Sequence, residues 1–250
     1  MGKGASEDGH GRLGSVLSGL AVAVGCVLFL GGFVWGAVVY QPYTVPTDSM
    51  APSVDVGDRV LAERIDGAEV RRGDVVVFRQ SEWGDMPMVK RVVGVGGDTV
   101  SCCGADGKLT VNGRQIEESY LRADGPASPT RFTATVPEGQ LFMLGDDRTS
   151  SLDSRTRLQD AAQGSVPRSA VEARLDAVAW PLPGDILERP EGFEALSGGT
   201  SEMGPVKLLL VSVATGAALI FAGAAYGPVA RMRARRRRGS RRGEVAADVG

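Results

Sequence analysis

Two long apolar windows restrict what this chain can become more than any other feature in it. The first runs from Leu13 to Tyr40 without a charged residue, and the second from Val206 to Tyr226 with Lys207 alone near its start. A helix needs about 20 apolar residues to cross a bilayer core, so both windows predict transmembrane helices. A cleaved signal sequence has an apolar region of only roughly 7–15 residues. The first window is longer and reads as an uncleaved anchor.

The windows divide the chain into a polar tail (1–12), a first span (13–40), a middle domain (41–189), a Gly/Ser/Glu-rich linker (190–205), a second span (206–226) and an arginine-rich tail (227–250). That last tail carries eight arginines between Arg231 and Arg242. Basic residues beside a membrane helix stay in the cytoplasm, which places both termini inside and residues 41–204 outside. The arginine run is thus a topological signal and predicts no nucleic-acid partner. The outer segment holds 17 Lys and Arg against 26 Asp and Glu, a net charge of −9 that the whole-chain value of −2 conceals.

The middle domain reads as β-dominated. Short runs rich in branched residues (Arg59–Ile65, Val75–Phe78, Met88–Val95, Thr99–Ser101, Leu109–Val111, Arg131–Val136 and Gln140–Leu144) are separated by Gly, Pro and Asp turns. That alternation of strand and turn signals predicts an antiparallel all-β domain. Asn112-Gly113 is a hairpin turn signal, and Ser169–Ala179 admits a strand or a short helix. Cys26 lies in the first span. The adjacent Cys102 and Cys103 can form a vicinal bridge or remain thiols in an outer compartment that permits disulfides. One histidine and three cysteines offer no metal-ligand spacing, so no metal and no cofactor are expected.

Nucleophilic chemistry is the alternative to metal chemistry. In Val45-Pro-Thr-Asp-Ser-Met-Ala-Pro-Ser53 two prolines stiffen the backbone around Ser49; the bland alternative is a Pro/Ser linker beside a membrane helix. Lys90 sits in the apolar run Met88–Val95, in an outer segment with fifteen arginines and only one other lysine, Lys108. Burial lowers the pKa of lysine, whereas arginine stays charged. A neutral Lys90 is therefore a candidate base for Ser49. The only histidine, His10, precedes the first span, so a Ser-His-Asp arrangement in the outer domain is excluded.

Five segments taken in order, Pro46–Pro52, Gly57–Val60, Arg72–Phe78, Val89–Gly94 and Gly145–Arg155, resemble the sequence boxes of type I signal peptidases. The resemblance covers Val45 to Pro167. It implies a signal-peptidase-like antiparallel β-sheet catalytic domain flanked by two transmembrane helices. It further implies that Ser49 is the nucleophile and Lys90 the general base. Thr47 would assist the oxyanion hole, Ser151 would hold the lysine, and Asp153, Arg155 and Arg91 would form a charge network beneath the site, with Asp146 and Arg148 in the same box. Met50 would line the substrate site. Asp147 stands where the family usually has asparagine, Gly96 replaces a common proline, and Thr156–Gln163 reads as an insertion.

By the same resemblance the substrates would be secretory preproteins with small residues at −1 and −3, cut at the outer face of the cytoplasmic membrane. The other partners would be membrane lipid and, optionally, the translocon. Two different readings share parts of the pattern. A self-cleaving repressor-type protease has the Ser-Lys pair but no membrane spans, and a silent membrane adaptor would not need Ser49, Lys90 and Ser151 intact.

Overall fold

The structure is a computed structural model that describes residues 7–104, 106–122 and 125–247, with side chains described between residues 14 and 226. Residues 1–6 of the expected N-terminal tail and 248–250 of the arginine-rich tail lie outside the described residues. The chain forms two units, one of residues 1–38 with 207–250 and one of residues 39–206.

The first unit consists of α1 (Glu7–Val39) and α2 (Val206–Ala247). Within them Gly14–Val39 and Val206–Tyr226, 26 and 21 residues, are long and apolar enough to cross a membrane. Both helices continue past their apolar windows, α2 through the arginine-rich stretch, where alanine and arginine are strong helix formers. Val27, Leu30 and Phe33 of α1 and Leu210, Val211 and Phe221 of α2 are exposed, as a lipid-facing surface requires. Where the two helices meet, glycine permits the approach. A Cβ on Gly216 would stand 2.6 Å from the Phe29 nitrogen and 2.7 Å from the Gly25 carbonyl oxygen. Ser18 donates to the Gly223 carbonyl at 2.8 Å and Ser212 to that of Leu28 at 3.1 Å. Small residues and hydroxyl donors are how helices associate where no hydrophobic effect drives them.

The second unit carries, in chain order, β1 (Tyr40–Thr44), β2 (Arg59–Arg64), β3 (Val75–Gln80), β4 (Gly84–Val95), β5 (Thr99–Cys102), β6 (Thr110–Val111), β7 (Arg114–Gln115), β8 (Phe132–Thr135), β9 (Gln140–Leu144), β10 (Val166–Pro167), β11 (Val171–Trp180) and β12 (Asp185–Ile186). One antiparallel sheet has the order β1-β2-β11-β3-β4-β9-β10, with β12 paired to β11, and a smaller one has the order β7-β6-β5-β8. The mainly β expectation is met. Ser169–Ala179, ambiguous in sequence, is a strand after a single 3-10 turn at Arg168–Ala170. Asn112 and Gly113 take φ of 53° and 77°, the left-handed pair of a two-residue hairpin turn.

The central strand β3 is buried on both faces. Val75 and Val77 join Val45, Met50, Val54 and Leu175 in one core cluster, while Val76 and Phe78 join Val92, Met143 and Val166 in another. A third cluster around Val100, Leu109, Ile116 and Phe142 lies under the smaller sheet. Cys102 and Cys103 form a vicinal disulfide at the end of β5.

Strand β1, which includes Tyr43, pairs its five residues antiparallel with Arg59–Glu63 of β2. Residues 190–204, read from sequence as part of a linker, are packed onto the β domain. Phe193 is fully buried in the third cluster, Arg72 donates to the Ser197 carbonyl at 2.6 Å, and Ser201 donates to buried Asp74. Gly and Ser composition hides this because most of the attachment is made by backbone groups and one aromatic anchor. The two ends of this unit also converge. The Tyr40 hydroxyl donates to Asp176 at 2.8 Å, and a Cβ on Gly204 would stand 2.6 Å from that same hydroxyl.

Candidate active site

Ser49 is positioned from both sides. The backbone pairing of β1 with β2 continues beyond the strand, since the Val45 N–H donates to Asp58 at 2.9 Å and the Gly57 N–H to Val45 at 2.8 Å. After it the chain turns sharply, with Ala51 N–H bonded to Asp48 at 2.9 Å and Val54 N–H to Met50 at 3.0 Å. Met50 and Val54, each 1% exposed, pin this turn into the core. The Ser49 carbonyl accepts the Asp147 N–H at 3.1 Å, which ties the serine turn to the loop after β9.

Lys90 comes from β4, opposite Val76 of β3. Its Nζ donates to Ser49 Oγ at 2.7 Å and to the Val89 carbonyl at 3.0 Å, and its side chain is buried. Burial lowers its pKa from the ordinary 10.5 to about 8; Asp153 and Asp146 pull upward against that, and Arg155 pushes further down. Thr47 Oγ1 lies 3.3 Å from Ser49 Oγ. A serine hydroxyl, a partly neutral amine and a second hydroxyl thus share one small volume, the grouping that nucleophilic catalysis needs.

Near Lys90 the charged residues singled out in the sequence form two ion pairs, joined by further partners. Arg91 grips Asp146 through Nε at 2.8 Å and Nη2 at 2.6 Å. Arg155 grips Asp153 through Nε at 2.8 Å and Nη2 at 2.7 Å, and Asp153 also accepts the Gly145 N–H at 3.0 Å. Arg148 pairs with Glu118. The Arg91 guanidinium lies 3.9 Å from the centroid of the Tyr120 ring. Glu118 and Tyr120 come from the irregular segment after β7 and carried no signal in sequence. Only the fold brings that segment under β4.

Ser151 departs from expectation. Its Oγ is buried without a hydrogen-bond partner, so the anticipated bond to Lys90 is not formed. Instead Ser151 crowds Gly145: a Cβ built on that glycine would collide with Ser151 Oγ and with the Ser49 carbonyl. The lysine is held by Ser49 and by its own strand. Asp147, where the family usually has asparagine, caps the loop by accepting from the N–H of Thr149 and of Ser150, both at 3.1 Å.

Ser49 and Lys90 open onto a cleft of ≈ 450 Å³. Tyr43, Val45 and Thr47 line one side, Met86, Met88 and Val89 another, and Met50 and Val77 are also in its lining. Met50, the expected substrate contact, and the β4 residues before Lys90 line this space. Trp83, which lines the cleft as well, was not anticipated.

Comparison with known proteins identifies the family. The family described as signal peptidase, peptidase S26, matches residues 16–180. A probable signal peptidase I from Mycobacterium leprae is 32% identical over 201 residues, covering 57% of this chain and 69% of the relative. Signal peptidase I from Mycobacterium tuberculosis is 32% identical over 194 residues, 57% of this chain and 66% of the relative. That of Bacillus licheniformis is 32% identical over 156 residues, 58% and 80%. A solved signal peptidase I from Enterococcus faecalis shares 30% identity with a TM-score of 0.34, covering 42% of this chain and 95% of that one. With the family model matched over residues 16–180 and relatives 32% identical over the aligned residues, this chain belongs to the signal peptidase family, peptidase S26, and is a serine endopeptidase.

Proposed function

We propose that this membrane-bound enzyme removes N-terminal signal peptides from exported preproteins, with Ser49 as nucleophile and Lys90 as general base. The observation that carries the reading is the 2.7 Å contact between Lys90 Nζ and Ser49 Oγ in a buried site that lowers the lysine pKa to about 8. Neutral Lys90 takes the Ser49 proton as Oγ attacks the scissile carbonyl. The Ser49 N–H and the Thr47 hydroxyl stabilise the oxyanion, a donor of this kind contributing about 3–4 kcal/mol to the transition state. The intermediate collapses as charged Lys90 protonates the leaving amine, and water then hydrolyses the acyl-enzyme with Lys90 again as base. Arg91, Arg155 and Asp153 hold the floor under the lysine, and Met50 contacts substrate.

The apolar cleft walls suit small apolar side chains at −1 and −3. The arginines after the second span support a topology with residues 1–12 and 227–250 in the cytoplasm and residues 41–204 on the outer face, where membrane lipid and the translocon are the neighbours. The test is cleavage of a preprotein in detergent. Ser49→Ala and Lys90→Ala are each expected to abolish it, with the double variant no worse than either because the two act as one unit. Lys90→Arg is expected to be equally inactive. Substantial cleavage by Lys90→Arg overturns the lysine-base mechanism.

A further inference from the structure

Trp83 occupies a position that the catalytic chemistry does not require. It ends the 3-10 turn Ser81–Trp83 that joins β3 to β4, and it lines the cleft shared with Ser49 and Lys90. Its ring is fixed from two directions. Phe78, fully buried in β3, meets it edge-on with centroids 5.6 Å apart and planes at 82°. The Arg157 guanidinium lies 5.5 Å from the Trp83 centroid, a cation–π contact.

Arg157 belongs to the segment 156–163 that the family boxes do not account for, and that segment is itself anchored. Arg157 pairs with Asp160 at 3.7 Å, the Asp160 N–H donates to the Arg157 carbonyl at 3.0 Å, and the Gln163 N–H donates to that of Asp160 at 2.9 Å. The Gln163 side chain accepts the Thr135 N–H of β8 at 2.7 Å. The extra turn therefore sets a charged group against the Trp83 ring.

The wall has a direction. From Lys90 the strand β4 runs back through Met88, Pro87 and Met86 to Gly84, and an extended chain rises about 3.4 Å per residue. Opposite it β3 covers the same span, Val76 to Gln80, in four residues, and Phe78, which Trp83 touches, pairs with Met88. The Trp83 turn thus stands about 14 Å, or about four extended residues, from the lysine. In a signal peptide the apolar stretch precedes the small-residue cleavage site, so its last residues are the part of the substrate whose chemistry matches this wall.

We propose that Trp83 is a specificity-determining residue that receives an apolar side chain of the preprotein about four residues before the cleaved bond, and that Arg157 is its positioning residue. This rests on the proposed function. The experiment uses the full chain in detergent with two preprotein peptides that differ at residues four to six before the cleaved bond, three leucines in one and three serines in the other. The wild type is expected to favour the leucine peptide in kcat/KM. Trp83→Ala is expected to reduce that ratio about tenfold, through KM rather than kcat. Arg157→Ala is expected to reduce it severalfold, with Arg157→Lys restoring part because a cation remains over the ring. A ratio unaltered by Trp83→Ala, or an equal loss on both peptides through kcat, overturns the proposal. An Arg157→Ala ratio equal to wild type overturns the positioning role. Cleavage of both peptides by Ser49→Ala would instead overturn the functional reading beneath it.

Discussion

In the proposed mechanism the Lys90 pKa of about 8 sets the pH dependence of the reaction, because only the neutral amine can take the Ser49 proton. On that value about 1% of Lys90 is neutral at pH 6, about 9% at pH 7, about 50% at pH 8 and about 90% at pH 9. The kcat/KM, which reports the free enzyme, is therefore expected to rise about tenfold from pH 6 to 7 and less than about twofold from pH 8 to 9. An ordinary lysine would instead keep rising about tenfold per pH unit to near pH 10. The assay is peptide cleavage by the detergent-solubilised enzyme between pH 5.5 and 10. Asp153→Asn removes the larger of the two charges that pull the lysine upward and leaves Arg155 uncompensated, so its limb is expected to move to lower pH. Activity already level at pH 6, or still climbing tenfold between pH 9 and 10, refutes the reasoning.

Gly145→Ala is expected to lower kcat by about 100-fold or more while the domain stays folded, because the new methyl must push Ser151 or the Ser49 carbonyl aside and about 1 Å is enough; kcat and circular dichroism on the same sample check this. Lys90→Met is expected to raise the stability of the inactive enzyme near pH 7 by about 1–2 kcal/mol, the relief of about 3 kcal/mol for the lowered pKa less two hydrogen bonds. Because the unfolded lysine holds a proton that the folded one lacks between pH 8 and 10.5, this advantage is full below pH 8 and lost as pH rises through that window, which Tm measurements at several pH values read directly. A chain ended after Pro205 is expected to keep the β domain folded, whereas one ended after Arg189 loses Phe193 and about 3–5 kcal/mol with it, as limited proteolysis and thermal melts will show.

Much of this was legible in the residues themselves. Strands β2 to β6, β8 and β9 announce themselves by branched runs between Gly and Asp turns. Ser49 and Lys90 stand out because the outer domain has no histidine and almost no other lysine. What the sequence concealed is what depends on contacts across long separations. Strand β1 contains Pro42 and follows the first span without a break, so only its partner β2 defines it. Glu118 and Tyr120 are two ordinary residues until the fold sets them under Arg148 and Arg91. Ser151 was assigned by resemblance to the lysine, but its hydroxyl position depends on how tightly Gly145 lets the two loops close. Trp83 sits at a hairpin end, where sequence marks a turn but not which cavity it borders.

The convergence of Tyr40, Asp176 and Gly204 makes the catalytic unit a cassette. The polypeptide enters and leaves it at one buried carboxylate, so from the standpoint of the β domain the second helix is an appendage added beside the first. An ancestor could gain or shed that helix by a change at a single point without rebuilding the sheet around Ser49. By the same reasoning, a short join from Gly204 back to Tyr40 would close the domain into a ring that could be reopened elsewhere.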